Sequence, residues 1–373
     1  MKHSFRKGVN VSKRRKKRVW PKVLWGLSLV VSIFAGFWIA RTQIVFSSVN
    51  QDTDNVLKEM ELPEGNYKSD KKIVNILVVG NDYRKEANYT AAGLPDVMMI
   101  ATLDKKHKTL KLTSLLRDQV VQIPGHGENR LNYTYNCSED GVDVLYQTIA
   151  TNYGIKLDGY VEFGFDAVRE TIDKVGGVKI ELTESEADYL NRTNYIKPKK
   201  YRNVKAGMNT MNGAQALGYS RIRKTVYTPT GLTDDYGRTW RQRNVVSAVF
   251  NQIKGMSLPE LLDIAEEILG KYVKTDLSSS DIVQYATDVV MMGSTEIYQL
   301  QIPMNGYYTD EHTYYSSAFG KLTYVLLPDF DANAEAMHQF IFEYKGSKNR
   351  EFEYVPGGVK PTDALGDAED TAQ

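Results

Sequence analysis

Lys72-Ile-Val-Asn-Ile-Leu-Val-Val-Gly80 is a nearly continuous apolar run that stops on glycine and opens into the polar loop Asn81-Asp82-Tyr83-Arg84. A strand covered on one face alternates apolar and polar residues, whereas one covered on both faces does not, so this run predicts a strand at the centre of a sheet with helices above and below. Working outward, residues 97–103 and 110–114 predict neighbouring strands, and 140–153, with Val142, Leu145, Tyr146 and Ile149 at helical spacing, predicts the first helix. Strand, helix and strand follow at 160–165, 166–175 (closed by Gly176-Gly177) and 178–182. Residues 212–217 predict a short helix, 218–223 a strand, and 235–253 a long helix with Asp234 and Asp235 as its caps. Further helices are expected at 259–272, 280–292 and 332–344, with strands at 297–302 and 321–327. The fold class is therefore α/β, with a mixed central β-sheet flanked by helices in a single domain over 71–345.

The ends differ in kind. Residues 1–22 hold ten Lys or Arg and no acid, and 23–40 is an 18-residue stretch without a charge, with Trp20, Trp25 and Trp38 near its limits. At ~1.5 Å per residue that stretch reaches roughly 27 Å, enough to cross a hydrocarbon core as a transmembrane helix. The rival reading, a cleaved signal, fits less well, because the apolar run is long and no small-x-small site follows it. The expected order is a basic cytoplasmic tail (1–22), a span (23–40), a stalk (41–70), an extracellular domain (71–345) and a flexible tail (346–373), so that the chain sits in the cell membrane with its N-terminus inside. Net charge is +1 overall, but the 11 Lys and Arg of residues 1–41 leave 36 against 46 acids beyond them, a balance of −10. An acidic domain is a poor non-specific ligand for nucleic acid. One cysteine, Cys137, excludes a disulfide framework, and five scattered histidines form no zinc spacing. Near absence of cysteine in an exported domain favours a Gram-positive source. No phosphate loop, S-x-x-K set or G-x-S-x-G elbow occurs.

Against that acidic background, arginines stand in distant segments: Arg117 in S-L-L-R-D, Arg221 and Arg223 in S-R-I-R, and Arg238 in D-Y-G-R-T-W-R-Q. Guanidinium forks suit phosphate oxygens, and the carboxylates of Asp82 and Asp96 suit a hard divalent cation. If the first two strands are neighbours, Asp82 and Asp96 converge at one sheet edge; the plainer reading of each is a loop cap. Arg117-Asp118 alone reads as a surface ion pair or a turn. On a strand, Arg221 and Arg223 would share a face with Ile222 opposite, a repulsive pair unless an anion lies between them. Arg238 and Gln242 lie one helical turn apart near a helix N-terminus, where anions are favoured, and Val245 and Val249 continue the stripe inward. At least one of Arg241 and Arg243 should face solvent. The set predicts a pyrophosphate site.

The order of segments resembles the LytR-CpsA-Psr family of cell-wall enzymes: N-I-L-V-V-G-N-D-Y-R (75–84), P-D-V-M-M-I (95–100), S-L-L-R-D (114–118), I-P-G-H-G-E-N-R-L-N-Y-T-Y (123–135), V-E-F-G-F (161–165), V-G-G-V-K-I (175–180), L-G-Y-S-R-I-R (217–223) and D-Y-G-R-T-W-R-Q-R (235–243). The resemblance implies a membrane-anchored α/β domain that takes a polyprenyl-pyrophosphate-linked glycan donor, its lipid in an apolar tunnel. It also implies transfer of the phosphoglycan (teichoic acid, capsule or a related wall polysaccharide) to a peptidoglycan acceptor. By position, Asp82 and Asp96 correspond to acids that hold Mg²⁺ or Mn²⁺. Arg117, Arg221, Arg223, Arg238 and Gln242 match the pyrophosphate contacts, and Arg130 and Asn132 fall in a further matched segment. Leu94 stands where members carry an arginine two residues before the second acid, and Arg84 is the expected substitute. Asp82 is the expected base, with Arg117, Arg221 and Arg223 in the catalytic set. Two other readings share these residues: a non-catalytic lipid-pyrophosphate-binding regulator, and a polyprenyl-pyrophosphate hydrolase.

Overall fold

The computed structural model describes residues 50–51, 62–81, 93–138, 141–223, 226–293 and 296–345. The basic tail, the expected span, most of the stalk, Asp82, Arg84 and the C-terminal tail lie outside these residues. Among the described residues no helix is long and apolar enough to cross a membrane.

The run that opens the sequence is strand β2 (Ile73–Asn81), preceded by the short β1 (Asn50–Gln51). It lies inside a seven-stranded sheet with β3 (Val97–Asp104), β4 (Thr109–Leu115), β7 (Gly159–Gly164), β10 (Val273–Thr275) and β11 (Ile297–Ile302), in the order β1-β10-β7-β2-β3-β4-β11. Pairing of β2 with β3 and of β3 with β4 is antiparallel, while β2 with β7 and β4 with β11 is parallel. The sheet is thus mixed, as expected. Two small strands, β5 (Val120–Ile123) and β6 (Gly127–Arg130), form a separate antiparallel pair.

Strand alternation divides the sheet's side chains between two layers. Leu77, Val79, Met98, Ile100 and Tyr160 join one core with helix α1 (Val142–Tyr153) and with the C-terminal segment, helix α8 (Phe330–His338) and the π-turn Gln339–Glu343. Phe340, Ile341 and Phe342 are buried there, and the buried Lys111 ammonium of β4 donates to Ile341 O at 2.8 Å and Asp104 Oδ2 at 2.7 Å. The opposite layer contains α2 (Phe165–Lys174), α3 (Glu184–Arg192), α4 (Gly213–Ser220) and α5 (Asp234–Ile253), followed along the chain by α6 (Leu258–Tyr272) and α7 (Ser279–Met292).

Three expectations need correction. The strand β8 (Val178–Leu182) does not join the main sheet but pairs with β9 (Gly207–Met211), so the strand-helix-strand rhythm crosses between two sheets. Residues 218–223 are not a strand: α4 continues to Ser220, entered through an Asn212–Gln215 capping box, and Arg221 is its C-cap. The expected strand 321–327 is divided into β14 (Gly320–Leu322) and β15 (Val325–Pro328), which pair respectively with β13 (Tyr314–Ser316) and β12 (Tyr308–Glu311).

Candidate active site

The ends of β2 and β3 meet where the acids were expected. Gly80 pairs with Val97, and Asp96 N–H donates to Gly80 O at 3.1 Å. A Cβ on Gly80 would lie 2.8 Å from Val97 Cβ and 3.3 Å from the Phe163 ring, so glycine permits this close approach. Beside it a cavity of about 250 Å³ opens between the sheet and α2, α4 and α5. Its apolar wall includes Val97, Met99, Phe163, Leu217, Val245 and Val246, and its polar lining includes Asp96, Arg221, Arg223, Arg238 and Gln242.

The arginines converge on two carboxylates. Arg117 Nη1 donates to Asp96 Oδ1 at 2.5 Å and Nε to Asp235 Oδ2 at 3.2 Å; Arg238 bridges the same pair, Nη1 to Asp96 Oδ1 at 3.1 Å and Nη2 to Asp235 Oδ2 at 2.8 Å. Arg223 Nη2 comes within 2.6 Å of Asp235 Oδ1, a charge contact rather than an aligned hydrogen bond. Arg221 lies over the Phe165 ring, 5.0 Å from its centroid, and among the described residues no carboxylate pairs with it. The like charges of Arg221 and Arg223 are therefore separated by different partners, although both line the cavity as the sequence suggested.

Burial opposes the charge on Asp235, but Arg238, Arg117 and Arg223 outweigh it and hold the carboxyl below its ordinary value. Asp118 goes the other way: burial, assisted by Asp235, raises it against the pull of Arg117 and Arg130. Arg117 loses some proton affinity to burial and regains more from Asp235, Asp118 and Asp96. For Arg238, only 4% exposed, burial prevails and lowers the value. Among the described residues, four guanidiniums (Arg117, Arg130, Arg223 and Arg238) pair with three carboxylates (Asp96, Asp118 and Asp235), and Arg221 adds a fifth positive charge, leaving a local formal charge of +2.

Asp235 is not the helix cap expected of it; Thr233 is the N-cap residue, and the Asp235 side chain is committed to arginines. Arg241 and Arg243 are both buried, so neither is the expected solvent-facing residue. Arg241 Nε donates to Glu186 Oε1 at 2.8 Å, while Nη1 and Nη2 reach the carbonyls of Ile222 and Val226 at 3.5 and 3.1 Å, fixing the loop that carries Arg221 and Arg223. Arg243 and Thr239 tie α5 to β11 through Gln299 and Gln301. Arg130 and Asn132 are absent from the cavity lining: Arg130 donates to Thr323 O and pairs with Asp118, and Asn132 N–H donates to Arg117 O at 3.3 Å. Asp82 and Arg84, two of the expected site residues, lie outside the described residues; Leu94 is 42% exposed.

For a divalent cation the donor set is compatible. Both arginine contacts of Asp96 fall on Oδ1, while Oδ2 has no described hydrogen bond. Mg²⁺ needs only one or two carboxylates beside substrate phosphate oxygens and water. Among the described residues no group of three His, Cys, Asp or Glu would hold a metal unaided.

Comparison with known proteins gives a consistent picture. The model of the LytR_cpsA_psr family matches residues 41–325. The polyisoprenyl-teichoic acid–peptidoglycan teichoic acid transferase TagT of Bacillus subtilis is 28% identical over 292 residues, 77% of this chain and 87% of the relative. The regulatory protein MsrR of Staphylococcus aureus is 28% identical over 251 residues, 67% of this chain and 70% of its own. A solved structure of TagT bound to LIIa-WTA shares the fold with a TM-score of 0.57 at 21% identity, covering 76% of this chain and 97% of that one.

Proposed function

The chain belongs to the LytR-CpsA-Psr family, and from that premise we propose that it is a divalent-cation-dependent phosphotransferase joining a polyprenyl-pyrophosphate-linked wall glycopolymer to peptidoglycan. The name of its B. subtilis relative supports the wall glycopolymer and the acceptor. One observation carries the reading of the site: among the described residues, Arg238 Nε, Arg223 Nε and Gln242 Oε1 are buried without hydrogen-bond partners, beside an apolar-walled cavity. Leaving a charged donor buried and unpaired costs roughly 1–3 kcal/mol or more, and a pyrophosphate would supply the missing acceptors. Oily walls beneath a cationic rim suit an amphiphile with an anionic head. Gln242 Oε1, itself an acceptor, would receive a hydrogen bond from a hydroxyl or water at the same place.

The chemistry follows from charge. An acceptor hydroxyl attacks the phosphorus that bears the glycan and loses its proton to a carboxylate, for which Asp82 is the candidate; the P–O bond to polyprenyl phosphate breaks and that lipid leaves with the electron pair. Arg117, Arg223 and Arg238 bind the oxygens on which negative charge builds, a role worth several kcal/mol in a dry site. Asp96 with Asp82 would hold Mg²⁺ or Mn²⁺, which supplies further charge neutralisation when bound. The membrane placement, with residues 23–40 as a single span and the catalytic domain outside, fits a lipid-borne donor.

The test is the purified full chain with Mg²⁺, lipid-linked donor and peptidoglycan. Glycopolymer should become covalently attached, and Arg238→Ala should lower kcat/KM by about 100-fold or more. Released free phosphoglycan would indicate the hydrolase, and donor binding without turnover the regulator.

A further inference from the structure

Strands β12 to β15 form an outlying platform seated on the arginine segment. Leu326 N–H donates to Asp118 O at 3.0 Å, Arg130 donates to Thr323 O, and Tyr308 stacks on Tyr236, the neighbour of Asp235, with centroids 5.7 Å apart. Between these anchors Tyr324 holds φ +54°, the left-handed region that a bulky aromatic residue rarely occupies. Its ring is nonetheless 72% exposed and meets His312 edge-on at 5.1 Å, while its N–H donates to His312 O at 3.4 Å. Glycine or asparagine would make this turn without strain, and the core gains little from the ring. Backbone strain of this kind is retained where a ligand uses it.

We propose that the Tyr324–His312 pair is an acceptor subsite on which a sugar ring of the peptidoglycan glycan strand stacks, an assignment that rests on the transferase reading. A pyranose presents a face of C–H groups that settles on an exposed aromatic ring, and its hydroxyls find an acceptor in one of the exposed acids Asp310 and Glu311, which β12 directs to opposite faces. Arg130 is then a positioning residue: it ties Thr323 to Asp118, so a glycan on Tyr324 lies one tether away from the arginine cluster.

The probe is a soluble tetrasaccharide of alternating N-acetylglucosamine and N-acetylmuramic acid, titrated into the purified full chain, alongside acceptor and donor KM in the transfer assay. Tyr324→Gly, which relieves the strained φ, should keep or raise Tm, weaken tetrasaccharide binding about tenfold and raise acceptor KM alike, with donor KM unchanged. Tyr324→Phe should keep both within about twofold. Equal tetrasaccharide binding in wild type and Tyr324→Gly would overturn the subsite, even with transfer intact. A chain that binds the sugar through Tyr324 but transfers nothing would retain the subsite and refute the transferase reading.

Discussion

Asp235 gathers three arginines that the sequence keeps far apart: Arg117 lies 118 positions away, Arg223 twelve and Arg238 three. Its linkage to pH has a definite sign. Because its folded carboxyl lies below the unfolded value of about 3.9, its stabilisation is present above that value and disappears as pH falls through the lowered folded one. Asp118 has the opposite sign: its raised carboxyl means the ionised form weakens the fold as pH rises through that value. Asp235→Asn should therefore lower unfolding free energy at pH 7 by roughly 2–4 kcal/mol, while Asp118→Asn should leave it unchanged or higher. The Asp235 difference should shrink as pH falls through its lowered folded value, whereas the Asp118 difference should already be gone below about 3.9, as urea melts across pH would show. None of this was legible in the sequence, where Asp234-Asp235 before a helix reads as a cap. Arg238 and Gln242 were legible, because one helix fixes both. Tyr324 left no signal, since its meaning lies in a backbone angle.

The loop after α4 shows how a mistaken element can still give a correct side-chain pattern. Alternating Arg221, Ile222 and Arg223 suggested a strand; in fact a helix ends at Ser220, and the next residues place Ile222 in the core with the arginines at the cavity. Burial alternates because the chain leaves the helix at its C-cap and Ile222 goes to the core between two residues that line the cavity. What holds this loop is Arg241, paired with Glu186, which also closes the capping box of α3. Both side chains are fully buried. Arg241→Met should cost about 3–5 kcal/mol, since it strands a buried carboxylate, and should abolish donor binding by freeing the loop. Adding Glu186→Met should recover much of the stability but not the binding, because the carbonyls of Ile222 and Val226 still lack their donor. Denaturant unfolding and donor titration on the single and double variants separate the two effects.

At the scale of the molecule, the central strand and its two neighbours were legible because their apolar runs are long. One end of the sheet was not, since β1 and β10 are two and three residues long, whereas the opposite edge, β11, was read at 297–302; β8 carries a clear pattern that gives no hint of which sheet it joins. The layered fold also puts the cavity's width under the control of α5. Val246→Trp should narrow it, lowering affinity for a long-chain polyprenyl donor by about tenfold or more while sparing a donor of two or three isoprene units. A comparison of KM for donors of graded chain length checks this. The C-terminal π-turn carries a different implication. Phe340, Ile341 and Phe342 cover a sheet whose first long strand begins at Ile73, and Ile341 O accepts a hydrogen bond from the buried Lys111 ammonium. Until the ribosome has released residue 342, that face lies open and the ammonium has lost its carbonyl. The core therefore behaves as a latch closed by a segment far along the chain from the strands it covers, and that face stays open until residues 340–342 have docked.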